Sequence, residues 1–316
     1  MKALITELIW NEGISELTRH GFEVHYDEGL WNNRAQLLQI VKEYDAIIVR
    51  NQTKVDQELL HAGTRLKVVG RLGVGMDNID IPAAKARGIQ VVYGRHANAT
   101  SVAEYVLSAM LSANRPLYLA DADIRSGNWN RKRFTGSEIA NKTLGLIGLG
   151  EISHRVAKRA LAFGMKVIGY DPFVTEYDHI VSETGIQLKD SLDDVLTMSD
   201  FISLHVPLTP QTHYLISEFE LRKMKPTAYI INTSRGGIIN EPALATALHS
   251  QTIAGAFLDV LEVEPISPSN QLLSCETATI TPHIAGLTDE SQIRTSVLVA
   301  KEVIKVVNGE RSLCTV

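Results

Sequence analysis

The sequence has few cysteines, no long apolar run and no excess of positive charge. Only 2 of its 316 residues are cysteines, and Cys275 and Cys314 lack the spacing of a metal site. We therefore expect free thiols, no metal and a reducing, cytoplasmic setting.

The longest uncharged apolar helix candidate, Tyr105–Asn114, is too short to span a bilayer, and Met1–Trp10 lacks the features of a signal peptide. Because the net charge is −5, neither a membrane nor nucleic acid is expected as a partner.

Short apolar runs alternate with amphipathic helical patterns through most of the chain. Hydrophobic residues make up 45% and charged residues 21%, which is typical of globular domains, and the length suffices for two of them. Strand candidates in the first series are Ala3–Thr6, Phe22–His25, Ala46–Arg50, Lys67–Val69 and Gln90–Tyr93. A second series begins at Lys142, with strand candidates Leu144–Gly148, Lys166–Tyr170, Phe201–His205, Ala228–Asn232, Ala254–Asp259 and Ala278–Thr281. This alternation predicts the α/β class, with parallel sheets covered by helices.

A long helical pattern separates the two series. It starts at Ser101 and should be bent or broken near Pro116, because proline disrupts a helix interior. Ser101 and Glu104 have the spacing of a capping box, which predicts that the helix begins there. A further long helix is predicted at Asp289–Val307.

The segment "KTLGLIGLGEISHRVAKRALAFGMKVIGYDP" predicts a dinucleotide site. A strand ends at Gly148 and Gly150, a helix opens at Glu151, and a second strand leads to Asp171. The glycines let the backbone approach a pyrophosphate at the helix N-terminus, and the acid is placed for ribose hydroxyls. Ser153 stands where a third glycine or alanine is usual, and it is small enough for close packing. A tight turn without a ligand is the alternative, but it leaves Asp171 unexplained.

The same segment favours NAD over NADP. A carboxylate at Asp171 would repel a 2′-phosphate, and no arginine or lysine follows in residues 172–174.

Three polar residues stand at or just beyond strand ends in the second series. Arg235 can hold a substrate carboxylate by paired hydrogen bonds. His283 can move a proton as general acid or base, and Glu264 can orient its ring and favour its charged form. Because the carboxyl ends of parallel strands border the ligand crevice, these residues make a plausible hydride-transfer site. Taken singly, each also fits an ordinary loop or a solvated charge.

The motifs "GLIGLGEIS", "INTSRGGIINEPAL", "GAFLDVLEVEP" and "TPHIAG" resemble the D-isomer-specific 2-hydroxyacid dehydrogenases. The resemblance covers nearly the whole chain and implies Arg235, Glu264 and His283 as the catalytic residues. It also implies a set of cofactor contacts, namely Val74, Gly148, Gly150, Glu151, Ile152, Asp171, Val206, Pro207, Thr212, Thr233, Ser234, Arg235, Asp259, His283 and Gly286.

The family resemblance also implies the architecture. Two Rossmann-like or flavodoxin-like doubly wound parallel-sheet domains are expected, with a cleft between them. Residues 1–98 and 286–316 would form a discontinuous substrate domain, and residues 99–285 the NAD-binding domain. A homodimer is expected, in which the segment after Ser101 packs against the partner.

Two stretches that resemble loops of the family predict the substrate-binding residues. In "GRLGVGMDNID", the backbone N–H groups of Val74 and Gly75 can form an anion site for a carboxylate, and Asn98 matches a family asparagine near the substrate. In "IIVRNQTKV", Arg50 and Asn51 resemble the stretch that meets the distal phosphate in phosphoglycerate dehydrogenases. Arg50 could equally be a solvated charge at a strand end.

Several functions remain open from the sequence. A short 2-hydroxy acid with an anionic C3 group is the expected substrate, with 3-phosphoglycerate first and 3-sulfolactate next, since both subgroups share these motifs. Glycerate or hydroxypyruvate and lactate are further alternatives. An NAD-binding corepressor shares the fold and a similar catalytic trio, whereas a nucleotide-dependent methyltransferase would not explain the trio.

Overall fold

The computed structural model describes all 316 residues, Met1–Val316. The chain divides into two compact units, one formed by Met1–Asn98 with Leu287–Val316 and the other by Ala99–Gly286. Each unit contains one all-parallel sheet, which confirms the predicted α/β class with two doubly wound sheets.

The first unit has five parallel strands in the order β2-β1-β3-β4-β5. They are β1 Lys2–Ile5, β2 Glu23–Tyr26, β3 Ala46–Val49, β4 Val68–Arg71 and β5 Gln90–Tyr93. Its helices, numbered along the whole chain, are α1 Asn11–Arg19, α2 Arg34–Ile40, α3 Gln57–Ala62, α4 Ile81–Ala86 and α12 Asp289–Val307. Short 3-10 turns lie at Leu30–Asn32 and Val41–Glu43.

Strands β3 and β4 are buried along their whole length, as expected for apolar strands covered on both faces. Helix α12 lies close over β4 because Gly70 has no side chain. A Cβ at Gly70 would be 2.9 Å from methyl groups of Val299 and Val303. The predicted helix at Asp289–Val307 is therefore part of the core of the first unit.

The second unit has seven parallel strands in the order β12-β11-β10-β9-β6-β7-β8. They are β6 Thr143–Ile147, β7 Lys166–Tyr170, β8 Gln187–Leu188, β9 Phe201–Leu204, β10 Tyr229–Asn232, β11 Gly255–Leu258 and β12 Ala278–Ile280. Its helices are α5 Ala99–Asn114, α6 Leu117–Arg125, α7 Glu151–Ala162, α8 His179–Ser182, α9 Leu192–Met198, α10 Glu218–Lys223 and α11 Glu241–His249, with a 3-10 turn at Gln271–Ser274. The strand order reverses at β6, and the carboxyl ends around such a switch point are where open α/β sheets bind ligands.

The predicted capping box at Ser101 and Glu104 is wrong. Helix α5 begins two residues earlier, at Ala99, and Ser101 is buried inside its first turn. The side chain of Glu104 instead lies 3.5 Å from Arg159 in an ion pair. The earlier start buries Ala99 in the packing of α5, which a local sequence pattern does not report.

The expected break near Pro116 is confirmed, since α5 ends at Asn114 and α6 begins at Leu117. Cys275 and Cys314 are free thiols, as predicted, and both are buried. None of the helices combines the length and the apolar character that a membrane-spanning segment requires.

Candidate active site

The loop between β6 and α7 has the shape that a dinucleotide pyrophosphate requires. Gly148 has a φ of 87°, and a Cβ there would lie 2.6 Å from the carbonyl oxygen of His205. Gly150 precedes the first turn of α7, and a Cβ on it would meet nothing within 4 Å. The backbone therefore turns tightly at the first glycine and is open to a ligand at the second.

Ser153 explains how the loop tolerates a departure from the usual third glycine or alanine. Its side chain is fully buried, and its Oγ donates a 2.5 Å hydrogen bond to the carbonyl oxygen of Gly148. The hydroxyl thereby ties the first turn of α7 to the glycine loop.

Asp171 is fixed beside the same loop. One carboxylate oxygen accepts the N–H of Leu149 at 2.8 Å, and the other accepts the N–H of Phe173 at 2.9 Å. Glu151, the first residue of α7, directs its carboxylate to Arg155 at 2.6 Å, so its charge is partly compensated at the helix N-terminus. Its neighbour Ile152 is partly buried and packs against the core of the unit.

Arg235 follows β10 on a turn that its neighbours hold. The amide of Asn232, which is buried, accepts from the N–H of Ser234 at 3.0 Å and donates to the carbonyl oxygen of Arg235 at 2.9 Å. The Ser234 hydroxyl donates to the carbonyl oxygen of Leu204 at 2.6 Å. These bonds join the turn to the end of the neighbouring strand β9.

The two glycines after Arg235 allow the close approach of the segment that follows β11. A Cβ on Gly236 would lie 1.9 Å from the carbonyl oxygen of Leu261, and Gly237 has a φ of 78°. Any side chain at residue 236 would thus push the Arg235 turn away from the segment that leads to Glu264.

Glu264 and His283 form a hydrogen-bonded pair. The Nδ1 atom of His283 lies 2.8 Å from Oε2 of Glu264, and Oε1 of Glu264 accepts the N–H of Leu261 at 3.0 Å. Burial raises the pKa of the Glu264 carboxyl, but the bonds from His283 and Leu261 outweigh it. With the charge of Arg235 added, the pKa is held below its usual value.

Asp259 anchors the turn that carries His283. Its buried carboxylate accepts the Thr281 hydroxyl at 2.6 Å and the N–H groups of Ile284 and Ala285, each at 2.7 Å. His283 itself has a φ of 56°, an uncommon conformation for a residue other than glycine. These contacts of Asp259 suit a residue that positions the histidine.

A second histidine at a strand end has the opposite character. His205 follows β9, and its Nε2 lies 2.9 Å from the hydroxyl of Ser203. Burial lowers the pKa of His205 to about 3, so its ring is neutral at physiological pH. His283 is partly exposed and paired with a carboxylate, which makes it the better candidate for proton transfer.

The remaining cofactor candidates of the second unit lie near these strand ends, with different local partners. Thr212 closes its own loop, because its hydroxyl donates to the carbonyl oxygen of Pro207 at 2.6 Å. Val206 lies against the glycine loop, where its methyl group is 2.7 Å from a Cβ built on Gly148.

The hydroxyl oxygen of Thr233 is buried and accepts no hydrogen bond within the chain. A buried oxygen of this kind at the carboxyl end of the sheet fits a polar ligand such as a dinucleotide. Gly286 closes the segment after His283 and is partly buried.

In the first unit, the loop after β4 carries the predicted carboxylate site. Val74 is exposed, and the N–H groups of Val74 and Gly75 donate to no backbone acceptor in the chain. Beneath them, the buried Arg71 donates to the carbonyl oxygen of Leu72 at 2.7 Å, and its Nη1 is 2.5 Å from a Cβ built on Gly73. The loop therefore combines open N–H groups with an adjacent positive charge, which suits an anion.

The loop after β3 carries Arg50 and Asn51. Burial lowers the pKa of the Arg50 guanidinium, and the negative charge of Glu7 opposes this shift. The N–H groups of Arg50 and Asn51 both donate to the Glu7 carboxylate, at 2.8 and 3.1 Å. Asn98, at the end of this part of the unit, has a buried side-chain oxygen with no hydrogen-bond partner in the chain.

Several residues that shape these loops were not predicted from the sequence, namely Glu7, Arg71, Asn78 and Asn232. The close approach of Gly236 to Leu261 was not predicted either. Arg71 adjoins the recognised loop motif, and Asn232 ends a recognised strand, so both could have been suspected. Glu7 gives no local signal, because the N–H groups it accepts lie 43 to 46 residues away.

Known proteins resemble this chain along nearly its whole length. The family model for the NAD-binding domain of D-isomer specific 2-hydroxyacid dehydrogenases matches residues 107–285. A D-3-phosphoglycerate dehydrogenase of Archaeoglobus fulgidus is 42% identical over 309 residues, which are 98% of this chain and 58% of that enzyme. The chain thus spans little more than half the length of the phosphoglycerate dehydrogenases that it matches.

Two other proteins match this chain over almost the full length of both sequences. A hydroxypyruvate reductase of Thermotoga maritima is 40% identical over 302 residues, which are 95% of this chain and 94% of that protein. A crystal structure of a Thermus thermophilus protein has a TM-score of 0.91 at 32% identity and covers 100% of both chains. On the strength of these matches, the chain belongs to the D-isomer specific 2-hydroxyacid dehydrogenase family and carries its NAD-binding domain.

Proposed function

We propose that the protein is an NAD-dependent dehydrogenase that interconverts a short 2-hydroxy acid and its 2-oxo acid. The observation that carries this proposal is the His283–Glu264 pair at 2.8 Å, on a turn fixed by Asp259, with the charge of Arg235 acting on the same carboxylate. These residues follow β12, β11 and β10, which are adjacent in the sheet.

The roles follow from the chemistry of each group. In the direction of oxidation, His283 accepts the proton of the C2 hydroxyl, and Glu264 stabilises the imidazolium that forms. Arg235 binds the substrate carboxylate and the adjacent C2 oxygen through charged hydrogen bonds. NAD supplies the hydride acceptor when it is bound, with Gly148, Gly150 and Asp171 as its proposed contacts.

We further propose that the unit formed by Met1–Asn98 and Leu287–Val316 binds the substrate. The open N–H groups of Val74 and Gly75 suit the C1 carboxylate, and the unpaired Asn98 oxygen suits a polar substrate group. The guanidinium of Arg50 is partly desolvated and makes no hydrogen bond or ion pair within the chain. A cation in this state favours an anionic ligand, which here would be a second acidic group at C3.

The favoured substrate is therefore 3-phosphoglycerate, with 3-sulfolactate next. Several curated relatives at about the same identity are D-3-phosphoglycerate dehydrogenases, which agrees with the first choice. A second candidate is glycerate or hydroxypyruvate, favoured by the hydroxypyruvate reductase that matches over 94% of its own length. The two differ in whether Arg50 has an anion to bind.

A screen of NADH absorbance tests the proposal. Purified protein would be assayed with 3-phosphoglycerate, 3-sulfolactate, glycerate and lactate, and with the corresponding oxo acids in reverse. Turnover of at least one acid is expected, with the dianionic acids having the highest kcat/KM. Binding of NAD without turnover of any acid would contradict the enzyme and favour the corepressor alternative.

We also propose a homodimer formed through helix α6 and the segment after it. None of the residues of α6 is buried, although Leu117, Tyr118 and Leu119 are apolar or aromatic and exposed by 70%, 83% and 58%. Adjacent exposed side chains of this kind are a feature of protein–protein interfaces. Light scattering after gel filtration should give twice the mass of the chain, and Tyr118→Glu with Leu119→Glu should give the monomer mass.

A further inference from the structure

The loop that carries Arg50 is built around a carboxylate of the protein itself. Glu7 follows β1, is 3% exposed, and accepts the N–H groups of four successive residues, 50 to 53. Its Oε1 accepts from Arg50 at 2.8 Å and Thr53 at 2.9 Å, and its Oε2 accepts from Asn51 at 3.1 Å and Gln52 at 2.9 Å. Successive N–H groups that converge on one point form an anion-binding concavity, and here Glu7 fills it.

The carbonyl oxygens of the same loop are held from the other side. The side-chain amide of Asn78 donates to the carbonyl oxygen of Arg50 at 3.1 Å and to that of Thr53 at 2.7 Å. The hydroxyls of Thr6 and Thr53 lie 2.7 Å apart, so the residue that follows β1 makes a second contact with the loop. Asn78 belongs to the loop after β4, and its own carbonyl oxygen accepts the N–H of Val55 at 2.8 Å.

Two consequences follow for ligand binding. The N–H groups of residues 50 to 53 are used by Glu7, so only side chains of this loop can bind an external anion. Asn78 also joins the loop of Arg50 to the loop of Val74 and Gly75, so their separation is fixed by hydrogen bonds. A substrate that bridges the two loops must match that separation.

We infer that Glu7 and Asn78 are positioning residues for substrate selection. Glu7 fixes the backbone from which Arg50 presents its guanidinium, and Asn78 fixes the distance between Arg50 and the Val74–Gly75 loop. The inference rests on the proposed function, because it takes the distal anion of the substrate as the ligand of Arg50.

Glu7→Gln tests the first part with little change in volume. A carboxamide keeps one acceptor oxygen and brings an NH₂ group against the N–H donors, so the loop loses its common acceptor. We expect KM for the dianionic acid to rise about tenfold, with kcat and the KM for glycerate changed less than about twofold. Glu7→Asp keeps both oxygens and should restore part of the preference.

A matched control separates positioning from general stability. Glu302 is also a buried carboxylate of the first unit, bonded to Ser312 and Lys305 at 2.6 Å and remote in sequence from both loops. Glu302→Gln should lower the melting temperature without changing the ratio of kcat/KM for the dianionic acid and glycerate. An equal loss for both substrates in Glu7→Gln would mean a structural role and would overturn the inference.

Arg50→Ala and the double variant distinguish this inference from the proposal beneath it. The quantity compared is the ratio of kcat/KM for the dianionic acid to kcat/KM for glycerate. If Arg50→Ala lowers this ratio and Glu7→Gln adds no further change in the double variant, the positioning role and the substrate proposal are both supported. If Arg50→Ala lowers the ratio and Glu7→Gln alone leaves it unchanged, the positioning role fails and the substrate proposal survives. If Arg50→Ala leaves the ratio unchanged, the distal-anion proposal fails, and this inference with it.

Asn78→Ala tests whether Asn78 fixes the distance between Arg50 and the Val74–Gly75 loop. It also provides a test of the inference if Glu7→Gln does not fold. Both donors to the Arg50 loop are lost, so the separation of the two loops is no longer held. We expect KM to rise for glycerate as well as for the dianionic acid, with the larger rise for the latter. An unchanged KM for both acids would overturn the role of Asn78.

Discussion

The two units of the chain build their polar sites in different ways. In Ala99–Gly286, each candidate residue stands on a turn after its own strand, and side chains such as Asn232 for Arg235 and Asp259 for His283 hold these turns. In the first unit, the loop of Arg50 is held by Glu7 and Asn78, which are 43 and 28 residues away. Asn232 and Asp259 lie in the recognised sequence motifs, whereas Glu7 lies in none of them.

This difference has a consequence for function. Under the proposed function, the turns of the second unit fix groups that any 2-hydroxy acid requires, namely a cation for the carboxylate and a histidine for the proton. In the first unit, the Val74–Gly75 loop also serves the carboxylate that all these acids share, and only the Arg50 loop distinguishes one acid from another. Changes at Arg235 or His283 should therefore affect all substrates, whereas changes at Arg50 should affect the choice among them.

The largest expected effect is in the second unit. His283→Ala should lower kcat by about 10²–10⁴-fold for every acid, because general acid–base catalysis is lost. Arg235→Ala should lower kcat/KM at least as much, since the carboxylate loses its paired hydrogen bonds. Steady-state kinetics with each acid would measure this, with NAD binding followed by fluorescence as the control. Full turnover by His283→Ala would contradict the assignment.

Gly236→Ala tests whether the Arg235 turn depends on close approach to the chain after β11. The added Cβ would lie 1.9 Å from the Leu261 carbonyl oxygen, so the turn must move. Overpacking of this kind costs about 1–3 kcal/mol, and we expect a matching loss of stability together with a loss of turnover for all acids.

Gly29→Ala provides the matched control in the first unit. Gly29 has a φ of −98°, and the nearest atom to its Cβ would be 3.6 Å away. Stability and turnover should both be retained in this variant. If Gly236→Ala behaves like Gly29→Ala, the two loops of the second unit are not coupled through that contact.

Arg50→Ala tests whether the first unit selects among the acids. A charged hydrogen bond contributes about 1.5–3 kcal/mol, so kcat/KM for the dianionic acid should fall by roughly one to two decades. Values for glycerate and lactate should stay near those of the wild type. An equal fall for all acids would show that the first unit does not act as the selective one.

Much of the second unit could be predicted from the sequence because its site residues lie in motifs that directly follow apolar strands. The glycine loop, Asp171 and the trio each follow an apolar strand at short spacing, so periodicity and turn residues locate them. Strand β8 has two residues and α8 four, which is too short to leave a periodic pattern, and neither was predicted. The start of α5 was misplaced, because Ala99 and Ser101 are both buried in its first turn and the local sequence pattern does not report that burial.

Less of the first unit could be predicted from the sequence, and the reason is again physical. The amide groups that bind Glu7 belong to the backbone, so their residue types carry no trace of the contact. Only the fold brings the end of β1 next to the end of β3, through their parallel pairing. The resemblance to the family found Arg50 and the Val74–Gly75 loop, but it did not reveal what holds them.

Asp171→Ala tests the cofactor preference, with a smaller expected effect. The carboxylate is fixed by the N–H of Leu149. If Asp171 is the ribose contact that we propose, NAD is preferred in the wild type, and the variant binds NAD about tenfold more weakly while its preference for NAD over NADP becomes smaller. Steady-state constants for both cofactors measure this. A wild type that prefers NADP would contradict the role of Asp171.

The smallest expected effect is a pH-dependent change of stability in Glu264→Gln. The pKa of Glu264 is lowered in the folded protein, so its ionised form stabilises the fold above the pKa of the unfolded chain, about 4.3. That stabilisation is lost as the pH falls through the lowered folded value. The melting temperature of the variant should therefore be below that of the wild type at pH 6–7, by a few degrees at most because the side chain is partly exposed. The two curves should converge only once the pH has fallen below the lowered pKa of folded Glu264, whereas Glu183→Gln, at an exposed carboxylate of the same unit, should follow the wild type throughout. A constant difference at every pH would mean that Glu264 contributes by packing, and that its charge is not what holds the His283 turn.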